Sequence, residues 1–110
     1  AVRRRMVERH LGDTAVPAVA GRPSLAEGIA ISAPPRGAQI LAAIRDTDGL
    51  VLTVTDDEIR SARAELAAEG LYVEPTPAVC WAAMRSPAGT LLGDGEIVVP
   101  LCGAGAKYPG

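Results

Sequence analysis

The sequence predicts an α/β protein: a partial three-layer parallel sheet with flanking helices. Apolar residues make up 48% of the chain, yet Phe is absent and the aromatic residues are one Trp and two Tyr. Ala, Val, Leu and Ile must therefore fill the core, which is typical of parallel sheets whose strands are buried on both faces. Short apolar segments also alternate with helical patterns, and this is the order of βαβ crossovers.

The N-terminal third of the chain gives a weak pattern until about residue 24. Arg3 to Leu11 fit a turn or two of helix, and the prolines before residue 24 favour an irregular connection. Ser24 and Glu27 have the spacing of a capping box, with a Glu three residues after a Ser. A helix is predicted over about residues 36–45, opened by two prolines and closed by Gly49.

The middle of the chain has the clearest pattern. Leu50–Val54 is predicted to be a strand from its length and its β-branched residues. Thr55 and Glu58 then form a full capping box, and Gly70 stands where a left-handed helix cap is needed. The buried stripe of the helix between them consists of Ile59, Ala62 and Leu66.

Two further strands and a buried helix complete the prediction. Leu71–Val73 and Ile97–Leu101 are the strands, and residues 86–95 form a loop. The helix begins with Thr76 as its N-cap, runs from Pro77 to Arg85 and is apolar nearly all round. Its residues expected in the core are Cys80, Trp81 and Met84. Because three strands leave sheet edges unpaired, the pattern fits a fragment better than a finished domain.

Charge and composition exclude several classes of function. The net charge is -2, and the basic residues cluster only at Arg3, Arg4 and Arg5, so nothing favours nucleic-acid binding. His10 has no partner at metal-ligand spacing and is expected at the surface. Two cysteines are too few for a disulfide framework or a zinc site, which favours a reducing, cytoplasmic setting.

Membrane insertion is not expected either. No apolar run approaches the ~20 residues that cross a bilayer. The arginines near the start are followed by mixed residues and not by an apolar stretch, so no signal peptide is predicted.

Two of the predicted strands end in residues that are able to carry chemistry. In open α/β sheets, ligands bind beyond the carboxyl ends of the strands. Glu74 follows Leu71–Val73, and Cys102 follows the last strand. Gly103 and Gly105 remove side-chain bulk directly after Cys102. This arrangement indicates a wall that presents one donor or acceptor to a flat ligand.

Four segments resemble one enzyme family, in the family's order and spacing. They are RPSLAEGIAISAPPRGAQIL, VTDDEIRSARAELAAEG, GLYVEPTPAVCWAAM and IVVPLCGAGAKYP. Together they are similar to the C-terminal part of pyridoxal-phosphate enzymes of the tryptophan synthase β family (fold type II), and most similar to threonine synthase and its relatives. The resemblance makes residues 22–110 the C-terminal part of the large domain of such an enzyme, and residues 1–21 match it poorly.

The resemblance implies that Cys102, Gly103 and Glu74 contact the cofactor, pyridoxal 5'-phosphate. Cys102 stands where the family has the residue that faces the pyridine nitrogen. That residue is usually Thr or Ser, and some serine dehydratases have Cys. A thiol is a weak hydrogen-bond donor, so Cys102 departs from the usual pattern. Glu74 matches the family's Glu-Pro turn beside the pocket. The alternatives are that Cys102 is a small buried hydrophobe and that Glu74 is held by the positive end of the next helix.

The resemblance also implies an activity for the complete enzyme. A threonine synthase converts O-phosphohomoserine to threonine by β,γ-replacement. A serine or threonine dehydratase, which eliminates water from a hydroxy-amino acid, is the alternative enzyme. A small stand-alone α/β protein without catalytic activity is the alternative outside enzymes.

No catalytic residue is expected within this chain. In the family, the lysine that carries the cofactor lies far upstream, as do the asparagine at its phenolic oxygen and the loop around its phosphate. Lys107, the single lysine here, follows the glycine turn and does not match that position. The expected partners are a small amino-acid substrate and either a second copy of the chain or the N-terminal part of the enzyme.

Overall fold

The computed structural model describes residues 16–108, which form helices joined by irregular connections. The α-helices within these residues are α1 (Gly37–Asp46), α2 (Asp56–Ala68) and α3 (Pro75–Arg85). Three short 3₁₀ helices cover Glu27–Ile29, Pro87–Leu92 and Gly105–Lys107. The N-terminal helical turn predicted near Arg3, and His10, lie outside the described residues. No helix within residues 16–108 has both the length and the apolar character needed to cross a membrane.

The predicted partial parallel sheet is wrong. Among the described residues, the only β pairing is an isolated antiparallel bridge between Val73 and Ala104. The segments predicted as strands, Leu50–Val54, Leu71–Val73 and Ile97–Leu101, are otherwise irregular connections. β-Branched composition shows that a segment suits a pleated, half-buried surface, whereas a strand also needs a neighbour to pair its backbone. Val98 is 86% exposed, whereas Leu101, at the end of the last of these segments, is partly buried against the core.

The described chain divides into two compact units, and the first contains α1. This unit comprises residues 16–22 and 31–53, and its helix confirms the prediction over residues 36–45. The helix ends in a Schellman motif, in which Gly49 N donates to Ile44 O at 2.7 Å and Asp48 N to Arg45 O at 3.3 Å. Asp48 adopts the left-handed conformation, with φ of 50°, so the left-handed cap residue of the helix is Asp48, one residue before Gly49.

The second unit comprises residues 23–30 and 54–108 and holds α2 and α3. The predicted capping box of α2 is confirmed: Thr55 Oγ1 accepts from Glu58 N at 3.2 Å, and Glu58 Oε2 accepts from Thr55 N at 2.6 Å. Gly70 ends the helix with φ of 82°, as predicted, and Leu71 N donates to Leu66 O at 2.8 Å. These local signals define α2 at both ends.

The core of the second unit lies between α2 and α3. Its buried residues are Ala26, Ile59, Ala62, Leu66, Val73, Ala78 and Ala82. Trp81 packs against this core, and its Nε1 donates to Glu65 Oε2 at 3.0 Å, with Arg85 Nε donating to the same oxygen at 3.2 Å. The predicted stripe of α2 is therefore confirmed and faces α3.

Helix α3 corrects three expectations. It begins at Pro75 with Glu74 as its N-cap, and not at Pro77 with Thr76. Cys80 is exposed and not in the core, because α3 buries one face against α2 and leaves the other open. Trp81 and Met84 are half-buried, so an apolar sequence all round the helix does not make the whole helix buried.

Ser24 and Glu27 do not form the predicted capping box. Ser24 Oγ instead donates to Asp56 Oδ1 at 3.0 Å, and Leu25 N donates to the same oxygen at 3.2 Å. This interaction ties residues 24–26 to the first turn of α2 and brings Ala26 into the core. The predicted loop of residues 86–95 contains the 3₁₀ helix Pro87–Leu92.

Candidate functional site

The Val73–Ala104 bridge brings the predicted site residues together. Glu74 N donates to Gly103 O at 3.0 Å, and Gly105 N donates to Tyr72 O at 2.9 Å. Glu74 and Cys102 were predicted at the carboxyl ends of parallel strands. The two segments that carry them are instead antiparallel at this bridge. The two segments still meet, because two hydrogen bonds align them over a few residues.

The Glu74 side chain lies against the backbone of Gly103. A Cβ atom added at position 103 would overlap the Glu74 carboxyl group. Glu74 is half-buried and is the N-cap residue of α3, but its side chain makes no capping hydrogen bond. Its position agrees with the alternative of a carboxylate near the positive end of a helix. Its contact, however, is with Gly103.

Gly105 allows a second close approach between the same segments. A Cβ atom there would lie 2.7 Å from the Tyr72 ring and 2.9 Å from the Val73 carbonyl oxygen. Gly105 is buried. Both glycines after Cys102 therefore permit tight packing onto residues 72–74, which is the physical basis of the glycine turn in this chain.

Cys102 is exposed and its thiol is free. The alternative of a small buried hydrophobe therefore does not describe it in this structure. Cys80, on the exposed face of α3, is also a free thiol. Lys107 is exposed at the end of the 3₁₀ helix Gly105–Lys107.

Arg63 is a residue of this region that the sequence argument missed. Its Nε donates to Val73 O at 3.1 Å, and its guanidinium carbon lies 4.9 Å from the centre of the Tyr108 ring. Arg63 is four residues after Ile59 and three before Leu66, both buried, so helical spacing places it at the edge of the buried face. That spacing is the only signal the sequence offers for it.

A protein-family model described as pyridoxal-phosphate dependent enzyme matches residues 3–103. The chain belongs to this family. The match confirms the expected family and its cofactor, pyridoxal phosphate, and it does not extend to threonine synthase in particular. No curated protein matches the chain. The boundary predicted between residues 21 and 22 stays a prediction.

In this pyridoxal-phosphate family member, the chemistry of the predicted site residues is compatible with the pyridine edge of the cofactor. Cys102 offers an exposed thiol, which is a weak hydrogen-bonding partner for a ring nitrogen. Next to it, Gly103 has no side chain, and the space that a Cβ would take is filled by Glu74. The turn is thus closely packed on one side and open at the thiol. The assignment of Cys102, Gly103 and Glu74 to the cofactor stays a prediction.

Proposed function

We propose that this chain is the C-terminal portion of a pyridoxal-phosphate-dependent enzyme of amino-acid metabolism. In this proposal Cys102, Gly103 and Glu74 form the pyridine side of the cofactor pocket. The observation that carries it is the contact between Glu74 and Gly103, beside an exposed Cys102 thiol, in a chain of this family. When bound, the cofactor supplies an electron sink for carbanion chemistry at the amino acid.

The residues of this chain have a binding and orienting role in the proposal. A neutral thiol at position 102 holds the pyridine nitrogen without forcing a full proton onto it, since a thiol is a far weaker acid than a carboxyl group. Glu74, fixed against Gly103, keeps the turn that presents Cys102 in one position. Neither residue transfers a proton to the substrate in this account.

The proposed reaction is the conversion of O-phosphohomoserine to threonine. The support is the likeness of four segments, in order and spacing, to threonine synthase. A serine or threonine dehydratase is the second candidate, and the specific observation that favours it is a cysteine at position 102. The proposed partners are a small amino-acid substrate and the remainder of the enzyme, in a reducing cytoplasm where Cys80 and Cys102 stay free thiols.

The test uses the enzyme encoded by the reading frame that contains this chain. We expect phosphate release and threonine formation from O-phosphohomoserine, with little 2-oxo acid formed from serine or threonine. Cys102→Ala should lower kcat by up to about tenfold, since one neutral hydrogen bond to the ring is lost, and Cys102→Ser should restore most of it.

Cys80→Ala is the matched control, because Cys80 is an equally free and exposed thiol on α3. It should leave the rate unchanged. If 2-oxo acid forms and O-phosphohomoserine does not react, the enzyme is a dehydratase and not a threonine synthase. Equal rates for Cys102→Ala and Cys80→Ala would contradict the role assigned to Cys102.

A further inference from the structure

We infer that Arg63 is a positioning residue, which holds the segment of residues 102–108 against residues 72–74 and so fixes the candidate site. The effect on cofactor binding rests on the proposed function, whereas the effect on the two segments does not. Arg63 belongs to α2 and is half-buried. It contacts both segments, although it belongs to neither.

The first contact is a hydrogen bond to a backbone group that the bridge leaves unused. The two bonds of the bridge involve Tyr72 O and Glu74 N, on either side of Val73. In an antiparallel pair of this type, the carbonyl of the residue between them faces away from the partner segment. Arg63 Nε donates to that carbonyl at 3.1 Å. Arg63 thus occupies the place that a neighbouring strand would take in a sheet.

The second contact is with the aromatic rings of both segments. The guanidinium carbon of Arg63 lies 4.9 Å from the centre of the Tyr108 ring and 6.0 Å from that of the Tyr72 ring. Both distances are within the range of cation–π attraction. Tyr72 precedes the bridge on one segment and Tyr108 follows it on the other. A single cation therefore attracts both segments at once.

Among the residues that the structure describes, the hydrogen bond to Val73 and the two ring contacts are the interactions of the Arg63 guanidinium. Within residues 16–108, the ion pairs join Arg60 to Asp57 and Arg85 to Glu65, and none involves Arg63. Loss of its side chain would leave the carbonyl of Val73, a buried residue, without its donor and both rings without their cation. The Glu74–Gly103 contact would then loosen, because each of these residues is next to a bridge residue.

Amide hydrogen exchange measured by NMR on the full chain tests this inference. In Arg63→Gln, the amides of Glu74 and Gly105 should exchange at least about tenfold faster, because a charge-assisted hydrogen bond and two ring contacts are lost. The interior amides of α2 should keep their protection. Arg63→Lys retains a cation and an N–H donor, and should restore part of the protection.

Arg60→Gln is the matched control, since Arg60 lies on the same helix, is exposed and pairs only with Asp57. It should leave both amides unchanged. Wild-type exchange of Glu74 and Gly105 in Arg63→Gln would overturn the inference. If Arg63→Gln loses all protection, Arg63→Lys decides: faster exchange confined to these two amides supports the inference, and exchange that is equally faster at the interior amides of α2 overturns it.

Adding pyridoxamine phosphate, which carries no aldehyde, to the enzyme encoded by the reading frame that contains this chain separates this inference from the proposed function. We expect it to shift the amide signals of Cys102 and Gly103 in the wild type and in Arg60→Gln, and much less in Arg63→Gln. A wild type without shifts contradicts the proposed function, while the exchange rates still decide the role of Arg63. Equal shifts in Arg63→Gln and the wild type, together with faster exchange, would limit Arg63 to structure and overturn its role in positioning the site.

Discussion

Position 103 needs a glycine because a neighbouring side chain occupies the space of a Cβ atom, and not because of its backbone conformation. Its φ is not among the positive values, which occur at Gly70 and Gly93 among the described glycines. What excludes a side chain there is the Glu74 carboxyl group. The glycine at position 103 therefore makes room for the Glu74 carboxylate, which packs on its backbone. The sequence around position 103 does not reveal this contact.

Glu58 has a pH-dependent role at the start of α2. The backbone N–H of Thr55, and then its hydroxyl, donate to the Glu58 carboxylate and lower its pKa below the usual 4.5. Because the pKa is lower in the folded chain, the stabilisation is present above the unfolded pKa and is lost as the pH falls through the folded pKa.

Glu58→Gln should therefore lower the free energy of unfolding by about 0.3–0.5 kcal/mol at pH 7, the lower end expected for an exposed carboxylate at a helix start. At pH 3 the difference from the wild type should shrink. Urea unfolding at both pH values measures it, with the exposed Glu96, outside α2, changed to Gln as the control. A difference that is the same at both pH values would contradict this account.

Helix α2 shows which elements can be predicted from the sequence and why. Its start, its buried stripe and its end depend on residues within a few positions of each other, and all three predictions are confirmed. The predicted strands depended on partners elsewhere in the chain, and β-branched residues do not supply these. The start of α3 was placed at Thr76–Pro77 because that pair is a good start signal, but Pro75 serves the same purpose two residues earlier.

The packing of α2 against α3 can be tested by removing one methyl group. Ile59 is 2% exposed in the core, whereas Ile29 is 57% exposed. Ile59→Val should lower the free energy of unfolding by about 0.5–1.5 kcal/mol, the usual cost of this change in a core. Ile29→Val should have little effect, because the methyl group removed is already in water. Equal changes in a urea unfolding experiment would show that α2 does not pack as described.

At the scale of the whole molecule, the lack of a sheet among residues 16–108 changes how the site is held. Glu74 and Cys102 were predicted at one edge of a parallel sheet, whereas in the structure one bridge and the side chain of Arg63 hold Glu74 against Gly103, the residue after Cys102. The assignment of these residues to a cofactor stays a prediction, and what the structure shows is that Glu74 and Gly103 are in contact without a sheet. The role of Arg63 was missed, since it depends on contacts between residues that are distant in the sequence.

Large apolar side chains remain exposed throughout the described chain. They include Ile31, Ile40, Leu50, Leu71, Leu91, Ile97 and Val98. Scattered exposure of such residues is common in proteins, but Val98, at 86%, lies in a segment with the composition of a buried strand. This is the pattern expected if the chain is a portion of a larger enzyme, as proposed.

The most direct test of the central claim compares the two free thiols of this chain within the enzyme encoded by the reading frame that contains it, which in the proposal supplies the rest of the cofactor pocket. Cys80 and Cys102 are both exposed, so an alkylating reagent should modify both, and mass spectrometry gives each rate separately. Pyridoxamine phosphate should slow the alkylation of Cys102 severalfold and leave that of Cys80 unchanged, while inorganic phosphate alone should affect neither. If the rate at Cys102 does not change, or if both thiols are slowed equally, Cys102, Gly103 and Glu74 do not form the pyridine side of a cofactor pocket.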